Sequence, residues 1–236
     1  MEIGKQPQSY IRPDEAEQYP DQQVRDINQE FIQRIDALDY PCVGAKSALH
    51  TSHYRLGTYG KMGDPDTTIR LAEDLKRYIQ ETLSADSNYM TMIAVFDDDI
   101  DSELDFEQKL WMQLQKLHDG DRDSHWDQTV GKSPEDPNFS FSFNGSAFFV
   151  VGLHPQASRK ARKFSQPAMA FNLHQQFEKL RDLGLYEKMK KVIREREVSF
   201  DGSINPMLTD HGKGLEAPQY SGRKVDSTWK CPFHHH

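Results

Sequence analysis

Phe139-Ser140-Phe141-Ser142-Phe143-Asn144-Gly145-Ser146-Ala147-Phe148-Phe149-Val150-Val151-Gly152-Leu153 is the stretch that decides the fold class. Phenylalanine and serine alternate over 139–143, the period of a half-buried strand. Asn144-Gly145 follows, and a two-residue type I′ turn needs residues that tolerate positive φ at both positions. Residues 147–153 form an apolar run that returns beside the first strand and ends at His154-Pro155. The expectation is an antiparallel hairpin, placed at the centre of the sheet.

Around this hairpin the pattern switches to helical spacing. Val24, Ile27, Phe31, Ile35 and Leu38 recur at three and four residues, with Asp21 as N-cap and Pro41 as the stop. Residues 42–49 read as a second helix opening at Cys42. A Gly- and Asp-rich loop is expected over 57–65, then an amphipathic helix carrying Ile69, Ala72, Leu75, Ile79 and Leu83. Residues 90–96 predict a buried strand, 104–117 a helix closing near Gly120, and 119–138 a long surface loop. Residues 172–183, capped by Asn172, and 186–197 predict two more helices separated by Gly184. Residues 1–22, with Pro7, Pro13 and Pro20, read as a flexible N-terminal arm. The class that follows is α+β, one domain over 23–233, with an antiparallel-containing sheet flanked by helices. His234, His235 and His236 are set aside as a possible tag remnant.

The 236 residues suit one large domain, and 13 Phe and 9 Tyr supply the apolar anchors that a disordered chain lacks. A net charge of −8 argues against a general nucleic-acid binder, whose affinity comes mostly from neutralising phosphates. No apolar run approaches the length that spans a bilayer, and Met1-Glu2-Ile3-Gly4-Lys5 holds no apolar signal core. The expectation is a cytoplasmic protein with no membrane or nucleic-acid partner. Two cysteines and no CxxC argue against a disulfide framework and a structural zinc site. There is no P-loop, no GxGxxG after a strand, no HExxH and no GxSxG. The acidic clusters at 97–99 and 119–123 lack EF-hand spacing and read as solvated loops.

Three segments remain that carry chemistry. Cys42 opens a helix, where the dipole and free N–H groups favour a thiolate, and Gly44 lets a flat group approach the backbone. This Cys-x-Gly start resembles the ligand helix of thiolate-haem monooxygenases. The plainer alternative is a buried free cysteine. His154 ends a rigid strand beside Arg159 and Arg162, where it could bind haem iron while the arginines meet the propionates, or serve only as a hydrogen-bonded structural group. Arg159-Lys160-Ala161-Arg162-Lys163 is either an anion-binding pocket wall or a solvated run. His174, His211 and Cys231 are weaker candidates.

Longer segments carry a family resemblance. Phe148 to Pro155 (Phe-Phe-Val-Val-Gly-Leu-His-Pro), Ser158-Arg159-Lys160-Ala161-Arg162, Phe171-Asn172-Leu173-His174-Gln175-Gln176-Phe177, Gly202-Ser203-Ile204-Asn205-Pro206, Glu216-Ala217-Pro218-Gln219-Tyr220-Ser221-Gly222-Arg223 and Trp229-Lys230-Cys231-Pro232-Phe233 resemble the YqcI/YcgG family, as does Tyr40-Pro41-Cys42. The likeness covers about 41–233. Characterised members include haem-dependent N-oxygenases that act on guanidino groups in guanitoxin biosynthesis or on amino-imidazoles in nitroimidazole biosynthesis. The resemblance implies haem b, a small guanidino or amine substrate and an electron donor or peroxide, and it allows a homodimer. It implies cofactor contacts at Cys42, His154, Arg159 and Arg162. Because a thiolate ligand pushes electron density to iron, Cys42 is favoured over His154 as the metal ligand. A haem-binding or haem-sensing protein without turnover is the alternative, and Glu216 lies in a family-like motif as a carboxylate for a cationic substrate.

Overall fold

The computed structural model describes residues 10–85, 87–209 and 212–235. His211 and His236 lie outside the described residues. Six strands form one sheet in the order β1-β2-β3-β6-β5-β4. They are β1 (Tyr10–Ile11), β2 (Tyr54–Tyr59), β3 (Thr91–Phe96), β4 (Phe141–Phe143), β5 (Ser146–Leu153) and β6 (Ala168–Leu173). Among the six strands of the described residues, β2 and β3 run parallel, joined through a helix, and the other strand pairs are antiparallel. The helices are α1 (Gln22–Asp36), α2 (Val43–His50), α3 (Pro65–Ser84), α4 (Glu103–Asp119), α5 (His174–Asp182), α6 (Tyr186–Asp201) and α7 (Pro218–Ser221). No helix among the described residues is long and apolar enough to cross a membrane.

The expected α+β architecture is present. β3 is buried along its whole length, which is why Met-Thr-Met-Ile-Ala-Val-Phe reads as continuous apolar sequence. Met92, Ala94 and Phe96 face a first core with Leu71, Leu75 and Tyr78 of α3 and Phe106, Leu110 and Trp111 of α4. Ile93 and Val95 face a second core with Ile27, Phe31 and Ile35 of α1 and the start of α2. The hairpin forms as expected: Phe141 pairs with Phe148, and Asn144 and Gly145 take φ of 49° and 73°. It is not central. β4 is an edge strand, and β3 and β6 hold the middle. Nor is the hairpin half-solvated. The Ser140 hydroxyl donates to Glu216 Oε1 at 2.8 Å, and Ser142 Oγ accepts from the Asp127 N–H at 2.9 Å, so the loop over 119–138 and the α7 region cover its outer side.

Several expectations give way to tertiary contacts. Residues 57–59 belong to β2 rather than to a loop. Asn172 is not a cap: it lies in β6, where its Nδ2 donates to the Phe149 carbonyl at 3.2 Å, and α5 begins at His174. The arm over 1–22 is anchored from Tyr10 onward. Tyr10 and Ile11 pair with β2, both are buried, and the Tyr10 hydroxyl donates to Glu81 at 2.7 Å. On α1, Leu38 is 93% exposed because the helix stops at Asp36. On α3, Ile69 and Leu83 point outward while Asp74 and Tyr78 turn in. Hydrogen bonds allow this: Tyr59 donates to Asp74 at 2.7 Å, and Tyr78 to the Met90 carbonyl at 2.8 Å. Asp21 caps α1 as read, accepting from the Gln23 N–H at 2.9 Å.

One glycine is required by packing. A Cβ on Gly152 would lie 2.5 Å from a Phe106 ring carbon and 2.8 Å from the Tyr220 carbonyl oxygen. Gly152→Ala should therefore cost about 1–3 kcal/mol of stability. Gly120→Ala, whose Cβ would meet only backbone atoms at 3.5 Å or more, is the control. Urea unfolding of both variants checks it, and equal small losses would mean that the sheet does not need the close approach.

Candidate functional site

Helices α2, α5 and α6 stand off from the second face of the sheet and leave a cavity of about 300 Å³, within the usual size of small-molecule sites. The wall is mostly apolar, with Ile35, Phe149, Val151, Phe177, Met189 and Ile193. Tyr186, Met189, Lys190, Ile193, Arg194 and Glu197 reach it from α6 at spacings of three and four, one face of the helix. The sequence marks α6 as a helix, but nothing in it says that this face meets space instead of core.

Cys42 is on the cavity wall, at the N-cap of α2. Its Sγ accepts from the Ala45 N–H at 3.4 Å. Burial pushes the thiol up from its ordinary value, against the N–H groups of Ala45 and Gly44 and the Arg162 charge, which pull it down. The expected capping position is correct, and desolvation outweighs the helix-terminus effect. Gly44 also borders the cavity, and a Cβ there would meet Tyr89 only at 3.8 Å. His174, at the start of α5, is buried and lines the cavity as well, with Nε2 3.7 Å from Glu178.

The other candidates separate. Alternate residues of β5 face opposite sides, so Leu153 joins the second core while His154 turns to the first, stacked on Phe106 at 4.2 Å. His154 is absent from the cavity wall. Burial, helped by the Arg162 charge and opposed by Glu103, pushes its imidazole down to about 4. Cys231 packs against the first core, and burial pushes its thiol up to about 12. His234 exchanges hydrogen bonds with the Gln115 side chain at 2.9 and 3.0 Å, and the His235 ring lies 4.9 Å from Trp126.

Arg159 and Arg162 flank a short 3-10 turn (Lys160–Arg162) and part company. Arg159 does not reach the cavity. It donates to the Ser203 carbonyl at 2.7 Å and lies 3.5 Å from Asp201 and 3.7 Å from Glu197, tying the end of α6 to the turn. Asp201 adds a bond from the Lys160 N–H at 2.6 Å. Arg162 is on the wall and half-buried. Its guanidinium donates to the carbonyls of Gly152 at 3.0 Å, Tyr220 at 3.2 Å and Gln219 at 3.0 Å. It forms no ion pair among the described residues. Lys160 and Lys163 are exposed, so the basic run is part solvated surface and part wall.

These residues fit a flat apolar group that carries acids. Cys42 and His174 offer single donor atoms, the walls are aromatic and aliphatic, and Arg162 presents a positive charge without a carboxylate partner. Among the described residues no three metal-ligating side chains cluster, so any metal here would take one or two protein donors.

A family model, described as the YqcI/YcgG family, matches residues 29–234. Two proteins of Bacillus subtilis (strain 168) are similar along most of their length. The uncharacterized protein YqcI is 30% identical over 208 residues, covering 82% of this chain and 80% of that one. The uncharacterized protein YcgG is 27% identical over 210 residues, covering 84% and 82%. No solved structure matches.

The His154 environment sets a pH dependence. Its folded-state value lies below the ordinary one, so as pH falls from about 6.5 to about 4 the unfolded chain takes up the proton first and stability is lost. The loss from this group should reach about 3 kcal/mol by pH 4. Urea unfolding at pH 7 and pH 4 should show it in the wild type and show about that much less in His154→Leu. An unchanged pH dependence in the variant would mean that His154 is not held neutral.

Proposed function

We propose that this chain, which belongs to the YqcI/YcgG family, is a haem-dependent N-oxygenase that hydroxylates a nitrogen of a guanidino or amino-heterocyclic small molecule. The observation that carries this reading is the meeting, in one apolar cavity, of a thiol at a helix start with a guanidinium that has no carboxylate partner. Cys42 would hold the haem iron, His174 is the other donor atom on the wall, and Arg162 would hold one of the haem's acids. Haem b bound there supplies the oxidising chemistry. In the overall reaction one oxygen of O2 enters the new N–O bond and the other leaves as water, with two electrons and two protons from a donor. With peroxide as oxidant, its second oxygen leaves as water and no donor is needed.

The chain's own residues do three things in this reading. The Ala45 N–H steadies the Cys42 sulfur and favours its ionised form. Arg162 cannot swing, because three carbonyls fix its fork, so the charge it offers to an acid is preorganised. The aromatic wall, with Phe149 and Phe177 at 5.9 Å in an edge-to-face pair, keeps water from the reacting nitrogen.

Titration of the full chain with haemin, followed at the Soret band, tests it. One haem should bind per chain, and the ferrous–CO spectrum should be that of a thiolate complex in wild type and be lost in Cys42→Ala. His154→Ala should leave both unchanged. Arg162→Ala should release haem about tenfold faster or more, since a charge-assisted bond to an acid is lost. No Soret band in the wild type, or one unchanged in both Cys42→Ala and His174→Ala, overturns the reading. Haem binding without product from guanidino or amino-imidazole compounds, given O2 and reductant or peroxide, would leave a haem-binding protein without turnover.

A further inference from the structure

Two carboxylates of the described residues line the cavity, Glu197 and Glu216. Glu216 is already engaged. Its Oε1 accepts from Ser140 at 2.8 Å and from Tyr220 at 2.6 Å, which ties the end of the hairpin to α7. Glu197 is different. It is the one fully buried residue of α6, only 7% exposed, on the same face as Met189 and Ile193. A carboxylate has room for about four hydrogen bonds. Glu197 receives one long bond, from the Asn205 N–H to Oε2 at 3.4 Å. Arg159 pairs with it at long range, Nη2 to Oε1 at 3.7 Å, while the same nitrogen donates to the Ser203 carbonyl at 2.7 Å and lies 3.5 Å from Asp201, so it gives Glu197 charge but no short hydrogen bond. Burial raises the Glu197 carboxyl above its ordinary range even with Arg159 and Arg162 nearby. A buried, under-coordinated carboxylate costs stability unless something supplies donors, and the open direction left to it is the cavity.

We infer that Glu197 is the specificity-determining acceptor of this cavity, taking the paired N–H groups of a planar amidinium or guanidinium ligand. The inference rests on the reading above only for the choice of this cavity as the ligand site. A planar cation with two parallel N–H groups satisfies both carboxylate oxygens at once, which an ammonium does not. A neutral ureido isostere keeps the shape and one N–H edge but loses the charge. Because Glu197 is the one carboxylate of α6 on the cavity wall, and the helix lies between Gly184 and Gly202 at φ of 68° and 79°, filling this acceptor also fixes α6 over the ligand.

The test is calorimetry on the full chain, haem-free and haem-loaded, with agmatine as the guanidino probe and N-carbamoylputrescine as its neutral isostere. The wild type should bind agmatine at least about tenfold more tightly. Glu197→Gln should erase that preference, Glu197→Asp should keep part of it, and Glu195→Gln, on the exposed side of the same helix, should keep all of it. Hydrogen exchange gives a second readout: agmatine should protect amides of α6 in the wild type and not in Glu197→Gln. Retained preference in Glu197→Gln, or no preference in the wild type in either form, overturns the inference. The haem titration fails or succeeds separately. Glu197-dependent agmatine binding in a chain that takes no haem would sink the N-oxygenase reading and leave this one standing, and a Soret band with no Glu197 dependence would do the reverse.

Discussion

The guanidinium of Arg162 is the interaction on which the rest of the site depends. It collects the carbonyls of Gly152, Gln219 and Tyr220, so the end of β5, the 3-10 turn and α7 share a single cation. Those segments belong to opposite faces of the sheet, since Tyr220 packs in the first core and Arg162 opens onto the cavity of the second. Gly152 makes the junction feasible by leaving room for Phe106 and the Tyr220 carbonyl at the same point. Carbonyls orient a guanidinium but do not cancel its charge. The cavity wall therefore carries a cation at Arg162 and, from α6, the Glu197 carboxylate, and this pair of opposite charges sets which ligands the cavity tolerates.

The same geometry explains why α6 is held as it is. Its inner face meets the cavity, so Met189 and Ile193 are partly rather than fully buried and contribute less than core residues do. Contacts at both ends add to this: Arg181 lies over the Tyr186 ring at 4.3 Å at its start, and at its end Asp201 takes the N–H of Lys160 and Arg159 binds Ser203 and stands 3.7 Å from Glu197. A helix with one buried residue, lying over an apolar space, opens at lower free energy than the strands beneath it.

Much of the fold was legible from local signals. Asn144-Gly145 fixed the hairpin because a type I′ turn is a two-residue event, and Asp21 and Cys42 cap their helices for equally local reasons. The order of strands was not legible, because nothing within the hairpin says that β6 will pair with β5 and β3. β2 and β6 were missed for physical reasons: Gly57 weakens the strand signal, and Ala168, Ala170 and Asn172 are poor strand formers that a paired sheet tolerates. The site was half legible. Cys42 and Arg162 reach the cavity, while strand parity sends His154 to the other face and the acidic end of α6 captures Arg159. Glu197 carried no signal, since a glutamate in a helix rich in Lys and Glu reads as surface until the cavity is seen.

Cys42 shows how the competing effects decide the chemistry. The helix start and the Ala45 N–H favour a thiolate, and Arg162 adds a charge of the right sign, yet burial prevails and the thiol is raised. A raised thiol is a poor nucleophile at neutral pH, which argues against covalent catalysis by Cys42 alone. It is also poorly exposed to oxidants from solvent. The environment suits a sulfur that loses its proton only when a metal centre arrives, because a coordinated thiol is deprotonated outright. Electrostatics that are too weak to ionise the free thiol are strong enough to bias the bound one. The N–H groups and Arg162 would then stabilise negative charge on sulfur, against the burial and the Glu197 carboxylate that oppose it.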